Sequence, residues 1–106
     1  MNKPNFFIVG APRCGTTAMY AYLRTHPDIY LSPQKELYYF GQDLTYVNFA
    51  RPTETEYLTF FAPATHQTII GEASVTYLYS QQAAAEIKAY SPDARILIML
   101  RNPVDM

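Results

Sequence analysis

The sequence predicts an α/β fold in which a parallel sheet is flanked by helices in three layers (α/β/α). Short apolar runs alternate with segments of helical period, which is typical of strand–helix–strand units joined by right-handed crossovers. The first run, residues 6–9, ends at a glycine-bearing turn that opens a helix. The last run, residues 95–100, is almost continuously apolar and is expected to be a central strand, buried on both faces.

Two more strands are predicted between these runs. Residues 29–31 are bounded by Pro27 and by Ser32-Pro33, and residues 68–74 run into a polar turn. No helix is predicted after the last strand, although a parallel sheet needs helices on both faces. We therefore expect residues 1–106 to be the N-terminal part of a single domain that is incomplete at its C-terminus.

The first helix is predicted over residues 17–26. Pro27 ends it, because the residue before a proline avoids the helical region. Its apolar positions recur at helical spacing and are expected to pack on the sheet as one stripe. These positions are Met19, Tyr22, Leu23 and His26.

Two further helices have start signals. Thr53 and Glu56 form a capping-box pattern, and Ser80 is expected to cap a helix that runs through Tyr90. The side chains expected to be buried are Tyr57, Phe60 and Phe61 on the earlier helix and Ala83, Ile87 and Tyr90 on the later one. Residues 42–52 have no clear period and are predicted to be a loop.

Composition restricts the possible functions. A chain of 106 residues with 49% hydrophobic content suits one packed domain. Its net charge of −1 provides no overall basic field, so nucleic acid and membrane are not expected partners and an anion must be bound by a local site. Cys14 has no partner for an internal disulfide and no signal peptide is apparent, so we expect a cytoplasmic protein. With one cysteine and isolated His26 and His66, we predict no metal site.

The turn after the first strand has the features of an anion site. Residues 10–17 match the phosphate-loop spacing, with threonine where nucleoside-triphosphate enzymes carry lysine. Such a turn directs backbone N–H groups and the positive end of a helix dipole at one point. The cation lies earlier, at Arg13, whose guanidinium can hold a tetrahedral oxyanion with two bonds. Glycine spacing alone also fits a tight turn with a surface arginine, but Pro12, Arg13 and the run Gly15-Thr16-Thr17 together favour the anion site.

Two separated stretches resemble motifs of a known family. Residues 7–17 resemble the 5′-phosphosulfate loop of the sulfotransferases that use 3′-phosphoadenosine-5′-phosphosulfate (PAPS), and residues 100–105 resemble the start of their 3′-phosphate motif. The resemblance also takes in His26-Pro27, residues 35–40 and residues 71–74, and is greatest to the bacterial and glycan-modifying branch. It implies that residues 1–106 are the N-terminal part of a single sulfotransferase domain with a P-loop-type sheet.

The resemblance also implies which residues bind the donor. PAPS would be the co-substrate, with no metal ion, because Arg13 and the helix N-terminus supply positive potential; Arg13 is therefore also a candidate catalytic residue. Arg101 would hold the 3′-phosphate and so distinguish PAPS from ATP. The phosphosulfate would be held by Pro12, Arg13, Cys14, Gly15, Thr16 and Thr17. For Cys14, filling a crowded loop is the alternative role.

The implied reaction is transfer of a sulfuryl group to an acceptor hydroxyl or amine, with a small molecule or a carbohydrate as the candidate acceptor. Glu36 stands where glycan-type members carry the glutamate that takes the acceptor's proton. Without the resemblance, a solvated loop carboxylate would be the commoner role for such a residue. Ala73 stands where these members often carry a lysine that stabilises transferred charge, and Lys35 is a candidate to replace it.

Neighbouring residues have two possible roles each. Tyr38, Tyr39 and Phe40 are candidates for the wall of an acceptor pocket or for the core, and Ser74 for an acceptor contact or a turn hydroxyl. Two alternative functions also stay open. One is a P-loop kinase of a small molecule, against which the missing loop lysine counts. The other is a non-catalytic nucleotide-binding fragment.

Overall fold

The strands of the sheet are β1 (Phe6–Gly10), β2 (Ile29–Leu31), β3 (Ile69–Ala73) and β4 (Arg95–Ile98). They come from a computed structural model that describes residues 2–11, 14–41, 43 and 51–100. Within these residues the four strands form one sheet in the order β2-β3-β1-β4. All its pairings are parallel: Phe6 lies opposite Gly71 on one side and opposite Arg95 on the other, and Ile29 lies opposite Ile69. The predicted parallel α/β sheet is confirmed.

The helices are α1 (Thr16–Arg24), α2 (Glu54–Thr59) and α3 (Ala83–Tyr90), with a 3₁₀ helix at Val75–Tyr79. Both bonds of the predicted capping box are present at the start of α2. Ser80 also acts at the start of α3, although the helix begins three residues later than Ser80, at Ala83. Its Oγ accepts bonds from the N–H groups of Gln82 and Ala83, at 3.0 and 2.9 Å.

Successive apolar side chains of β1 point to opposite faces of the sheet, and each face has its own core. Phe7 and Val9 belong to the larger core, to which α2, β3, α3, the 3₁₀ helix and the connections on either side of α2 also contribute. Ile8 belongs to a smaller core on the opposite face. Tyr57 and Phe61 are fully buried in the larger core, and Phe60 only partly. Because each face of the sheet carries a core beneath its own helices, the predicted three-layer arrangement is confirmed.

The predicted stripe on the first helix is correct for Leu23, which packs against the smaller core, and wrong for Tyr22 and His26. Tyr22 is 73% exposed and His26 is exposed, whereas the buried residues of α1 are Thr16 and Tyr20. The Tyr20 hydroxyl donates a hydrogen bond to the carbonyl of Ser32, which explains why a tyrosine rather than an aliphatic residue docks this helix. The helix also ends at Arg24, before the predicted limit at residue 26.

Within the described residues the last strand is not central, and its predicted central place in the domain stays a prediction. β4 pairs only with β1 and lies at the edge of the described sheet. Ile96 and Ile98 are 46% and 47% exposed, and a cleft of about 360 Å³ separates them from Ala84 and Ile87 on α3. A continuous apolar run indicates strand character but does not by itself give a strand's place in the sheet. No helix within the described part of the chain is long and apolar enough to cross a membrane.

Gly10 is expected to be essential for the close approach of β1 to the 3₁₀ helix. It has φ +143°, and a Cβ at this position would lie 2.8 Å from the carbonyl oxygen of Val75. Gly10→Ala should therefore lower the free energy of unfolding by more than about 1 kcal/mol, as measured by urea titration of the full-length protein.

Gly15→Ala is the matched control for this prediction. Gly15 also has positive φ, +87°, but within the described residues a Cβ there would meet nothing closer than the Met99 methyl at 3.5 Å. The Gly10 variant should therefore lose more stability than the Gly15 variant. Equal losses would mean that backbone strain alone matters and that the contact with Val75 does not.

Candidate active site

The turns at the carboxyl ends of the strands are joined by backbone hydrogen bonds. The backbone N–H of Ser74, just after β3, donates to the carbonyl of Ile8 on β1 at 3.0 Å. The N–H of Met99, just after β4, donates to the carbonyl of Gly10 at 2.8 Å, and the N–H of Ala11 donates to the carbonyl of Met99 at 2.9 Å. Ligands of open α/β sheets bind at this edge. The fold thus brings together the turns that carry the predicted site residues.

Among the described residues, no side chain caps the start of α1. Gly15 is its N-cap residue and provides no side-chain acceptor, and the first turn contains no acidic residue. The first N–H groups of a helix have no partner within the helix, and they carry the positive end of its dipole. Thr16 is buried, whereas Thr17 is exposed beside this turn. The local geometry therefore fits the predicted anion site.

Several predicted donor-binding residues lie outside the described residues, namely Pro12, Arg13 and Arg101. Their assigned roles stay predictions. Cys14 is described: it is a free thiol, 5% exposed, and its N–H donates to the carbonyl of Ala11 at 3.3 Å. This burial agrees with the alternative role of filling a crowded turn. Among the residues that the structure describes, no three His, Cys, Asp or Glu side chains are grouped as metal ligands would be.

A segment after β2, residues 35–41, contacts the start of α1 through the side chain of Lys35. The Lys35 Nζ donates a hydrogen bond to the Thr17 Oγ1 at 2.9 Å and lies 5.3 Å from the centre of the Tyr20 ring. The ring face attracts the ammonium group and helps to hold it there. Segment 35–41 thus places a cation beside the open helix N-terminus.

Glu36, the candidate base, lies in the same segment at the edge of a cleft of about 450 Å³. Its N–H donates to the carbonyl of Ala73 at 2.7 Å, and both carboxylate oxygens lie 3.2 Å from the N–H of Val75. Glu36 and Tyr38 have positive φ, 59° and 56°. Such conformations cost about 1–3 kcal/mol each and persist only where surrounding contacts hold them.

The aromatic residues of segment 35–41 divide between the two predicted roles. Phe40 is 4% exposed and belongs to the larger core, and Tyr39 stacks on Tyr57 with ring centres 4.2 Å apart. Tyr38 instead lines the cleft beside Glu36. Ser74 is fully buried, so its hydroxyl has the structural role of the two that were predicted.

A fully buried carboxylate, Glu72 on β3, is surrounded by hydroxyl groups. Tyr57 and Tyr77 both donate to its Oε2, and Ser74 donates to its Oε1 at 2.5 Å. Burial raises the pKa of Glu72 to about 7, although the hydrogen bonds from Ser74, Tyr57 and Tyr77 act in the opposite direction. Burial and the Glu72 carboxylate together raise the pKa of Tyr57 and of Tyr77, so both tyrosines keep their protons.

This cluster was not predicted from the sequence. One signal was available, because Glu72 is a charged residue inside an otherwise apolar strand, and a charge at such a position needs buried partners. Its partners Tyr57 and Tyr77 come from α2 and the 3₁₀ helix, and no local pattern connects these positions with Glu72.

The parallel sheet and the glycine turn that opens α1 fit the predicted anion site, and comparisons with known proteins identify the family. A model described as "Sulfotransferase family" matches residues 4–106, so the chain belongs to the sulfotransferase family. A crystal structure of a sulfotransferase from Alicyclobacillus acidocaldarius is 40% identical, with a TM-score of 0.88, over 99% of this chain and 47% of that one. The kinase alternative is not favoured by these matches.

Curated relatives are named for carbohydrate substrates. Carbohydrate sulfotransferase 15 of Homo sapiens is 31% identical over 144 residues, which cover 96% of this chain and 26% of the relative. Bifunctional heparan sulfate N-deacetylase/N-sulfotransferase 3 of Homo sapiens is 30% identical over 105 residues, which cover 96% of this chain and 12% of the relative. The chain thus spans about a quarter or less of the length of these relatives.

The raised pKa of Glu72 predicts a specific pH dependence of stability. Its folded-state value, about 7, exceeds the ordinary 4.5, so between these values the folded protein holds a proton that the unfolded chain has released. Protonation of Glu72 therefore stabilises the folded state fully below pH 4.5. This contribution to the free energy of unfolding, on the order of 3 kcal/mol, is lost as the pH rises to 7. Urea unfolding at several pH values in this range measures it.

Glu72→Gln should remove this pH dependence, because the amide does not titrate. The other groups near Glu72, which are Ser74, Tyr57, Tyr77 and Glu36, are unchanged in this variant. The difference in unfolding free energy between wild type and variant should therefore change with pH. A difference that is constant over the range would contradict a raised pKa.

Proposed function

We propose that the full-length protein is a PAPS-dependent sulfotransferase that acts on a hydroxyl or amine of a carbohydrate. The observation that carries the proposal is the hydrogen bond between Lys35 and Thr17, which joins the segment bearing Glu36 to the open N-terminus of α1. A bound sulfuryl group at that N-terminus and an acceptor in the cleft at Glu36 would then be neighbours. Membership of the sulfotransferase family supports this assignment.

The phosphosulfate is assigned to the turn before α1. Backbone N–H groups of Gly15, Thr16 and Thr17 bind its oxygens, and the helix dipole favours its negative charge. Arg13 lies in the same turn of the sequence and adds two charge-assisted hydrogen bonds. Arg101, which follows β4 by three residues, is assigned to the 3′-phosphate.

The transfer step needs a base on the acceptor side. An acceptor oxygen or nitrogen forms a new bond to sulfur while the bond from sulfur to the bridging phosphate oxygen breaks, and adenosine 3′,5′-bisphosphate leaves. The proton of the acceptor O–H or N–H passes to the Glu36 carboxylate. The electron pair of the broken bond stays on the leaving phosphate, where Arg13 and the first turn of α1 stabilise the charge.

Lys35 is assigned the positive charge that related enzymes often supply with a lysine at the position of Ala73. Ala73 is fully buried and its carbonyl is bound to the N–H of Glu36, so this position contributes backbone rather than a cation. The Lys35 Nζ lies instead beside Thr17, where it can neutralise an equatorial sulfuryl oxygen. With Arg13, Lys35 and α1 as the positive groups, the proposal needs no metal ion.

A glycan is the proposed acceptor because relatives of this chain are named as carbohydrate and heparan sulfate sulfotransferases. The cytoplasmic location predicted from the sequence stays a proposal, which fractionation of cells that express the full-length protein would test.

Donor specificity is the first test of this proposal. Calorimetry should show adenosine 3′,5′-bisphosphate binding about 10- to 100-fold more tightly than ADP, because Arg101 pairs with the 3′-phosphate.

Two variants test the positive groups by the rate of sulfuryl transfer from labelled PAPS to N-desulfated heparin. Arg13→Ala should lower this rate by about 10²–10³-fold, and Lys35→Met should lower it by a smaller factor.

Lys88→Met is the matched control, since the Lys88 Nζ bonds to the carbonyl of Pro92 on the exposed side of α3. It should transfer at the wild-type rate. Equal affinity for ADP and the bisphosphate, or tight Mg-ATP binding, would favour a kinase. Tight bisphosphate binding without any transfer would favour a non-catalytic nucleotide-binding protein.

Glu36→Gln tests the base. The amide oxygen can still accept from the N–H of Val75, so the segment should keep its shape, but the group no longer takes a proton. The variant should bind adenosine 3′,5′-bisphosphate normally and lose about 10²–10⁴-fold in kcat. Asp28→Asn, in an exposed turn, is the control acid. A Glu36→Gln enzyme with the wild-type kcat would place the base elsewhere.

A further inference from the structure

The buried carboxylate of Glu72 has no part in the reaction steps above. It is fully buried, whereas the candidate base Glu36 lies at the cleft. A buried carboxylate lowers stability relative to an apolar side chain of the same volume, unless its bonds are well formed. Stability alone therefore does not explain why β3 carries an acid at this position.

The hydroxyl groups around Glu72 connect it to the backbone of segment 35–41. The Ser74 Oγ accepts bonds from the N–H groups of Leu37 and Tyr38, at 3.0 and 3.5 Å. The Tyr77 hydroxyl accepts from the N–H groups of Tyr39 and Phe40, at 3.0 and 3.4 Å. Four consecutive amides thus bond to two hydroxyls that both donate to Glu72.

The direction of these bonds depends on the carboxylate. A hydroxyl has one proton and two lone pairs, and an ionised carboxylate only accepts. In its ionised form, which predominates above its pKa of about 7, Glu72 accepts the protons of Ser74 and Tyr77, and the lone pairs of these hydroxyls then face the amides of residues 37–40. An amide group at position 72 would instead present N–H protons to one of the hydroxyls, which would then have to turn its own proton elsewhere.

We propose that Glu72 is a positioning residue for Glu36, because it orients the Ser74 and Tyr77 hydroxyls that hold residues 37–40 and thereby fixes the Glu36 carboxylate in the cleft. The inference rests on the proposed function, in which Glu36 is the base. It accounts for the positive φ of Glu36 and Tyr38, since strained residues need surrounding bonds that keep them in place.

Two buried tyrosines provide a matched pair of variants. The hydroxyls of Tyr57 and Tyr77 both donate to the same oxygen of Glu72. Of these two hydroxyls, only that of Tyr77 also accepts from amides of segment 35–41 within the residues that the structure describes. Tyr77→Phe and Tyr57→Phe each remove one buried hydroxyl and keep the ring. Glu72→Gln completes the set, because it keeps the volume and removes the charge.

The experiment uses the full-length protein above pH 7, where Glu72 is ionised, and two independent readouts. Hydrogen exchange measures the protection of the amides of residues 37–40 without any turnover. Steady-state kinetics with PAPS and N-desulfated heparin separate kcat from KM, and calorimetry with adenosine 3′,5′-bisphosphate checks that the donor site is intact.

Glu72→Gln and Tyr77→Phe should both speed exchange at residues 37–40 by about tenfold or more, because these amides lose oriented acceptors. Both should lower kcat by about 10- to 100-fold, while KM for PAPS and the affinity for the bisphosphate change by less than about twofold. Tyr57→Phe should leave exchange at residues 37–40 and kcat close to wild type.

Equal effects of the two tyrosine variants on exchange and kcat would overturn the inference, because general loosening of the core would then explain both. Unchanged exchange in Glu72→Gln would overturn it as well. A wild-type protein that transfers no sulfuryl group would contradict the proposed function instead, and the exchange data would still decide whether Glu72 holds the segment.

Discussion

Parallel pairing of β1 with β3 and β4 is the constraint on which the site depends. Because all strands run the same way, the turns that follow them lie at one edge of the sheet. Hydrogen bonds from Ser74 to Ile8 and from Met99 to Gly10 extend the pairing beyond the strand ends. The glycine turn before α1 and the segment with Glu36 therefore come together although twenty residues lie between Gly15 and Glu36 in the sequence.

The site combines features that are unfavourable for stability. Glu72 is a buried carboxylate, and Glu36 and Tyr38 have backbone conformations that glycine would adopt more easily. The two apolar cores on either side of the sheet offset these costs. Hydrogen bonds at the site then select one arrangement, since hydroxyls with a single proton each can satisfy Glu72 and the amides only in one orientation.

Sequence patterns predicted the elements with strong local signals. The strands before turns and the capping box of Thr53 and Glu56 are of this kind, since the interactions that define them lie within a few residues. The buried face of α1 was missed because the hydroxyl of Tyr20 finds its partner at Ser32, beyond the helix. Glu36 could be selected by resemblance, but the cluster around Glu72 joins four parts of the chain and has no local pattern.

The fixed backbone of segment 35–41 limits how an acceptor can be recognised. The amides of residues 37–40 are bound by Ser74 and Tyr77, and that of Gly41 by the Glu86 carboxylate at 2.7 Å. On the other side, the Arg51 guanidinium donates to the carbonyls of residues 38, 40 and 41. No N–H in residues 37–41 is left to bind a sugar oxygen, so discrimination among sugars along this stretch falls to side chains, which vary more easily than a backbone conformation.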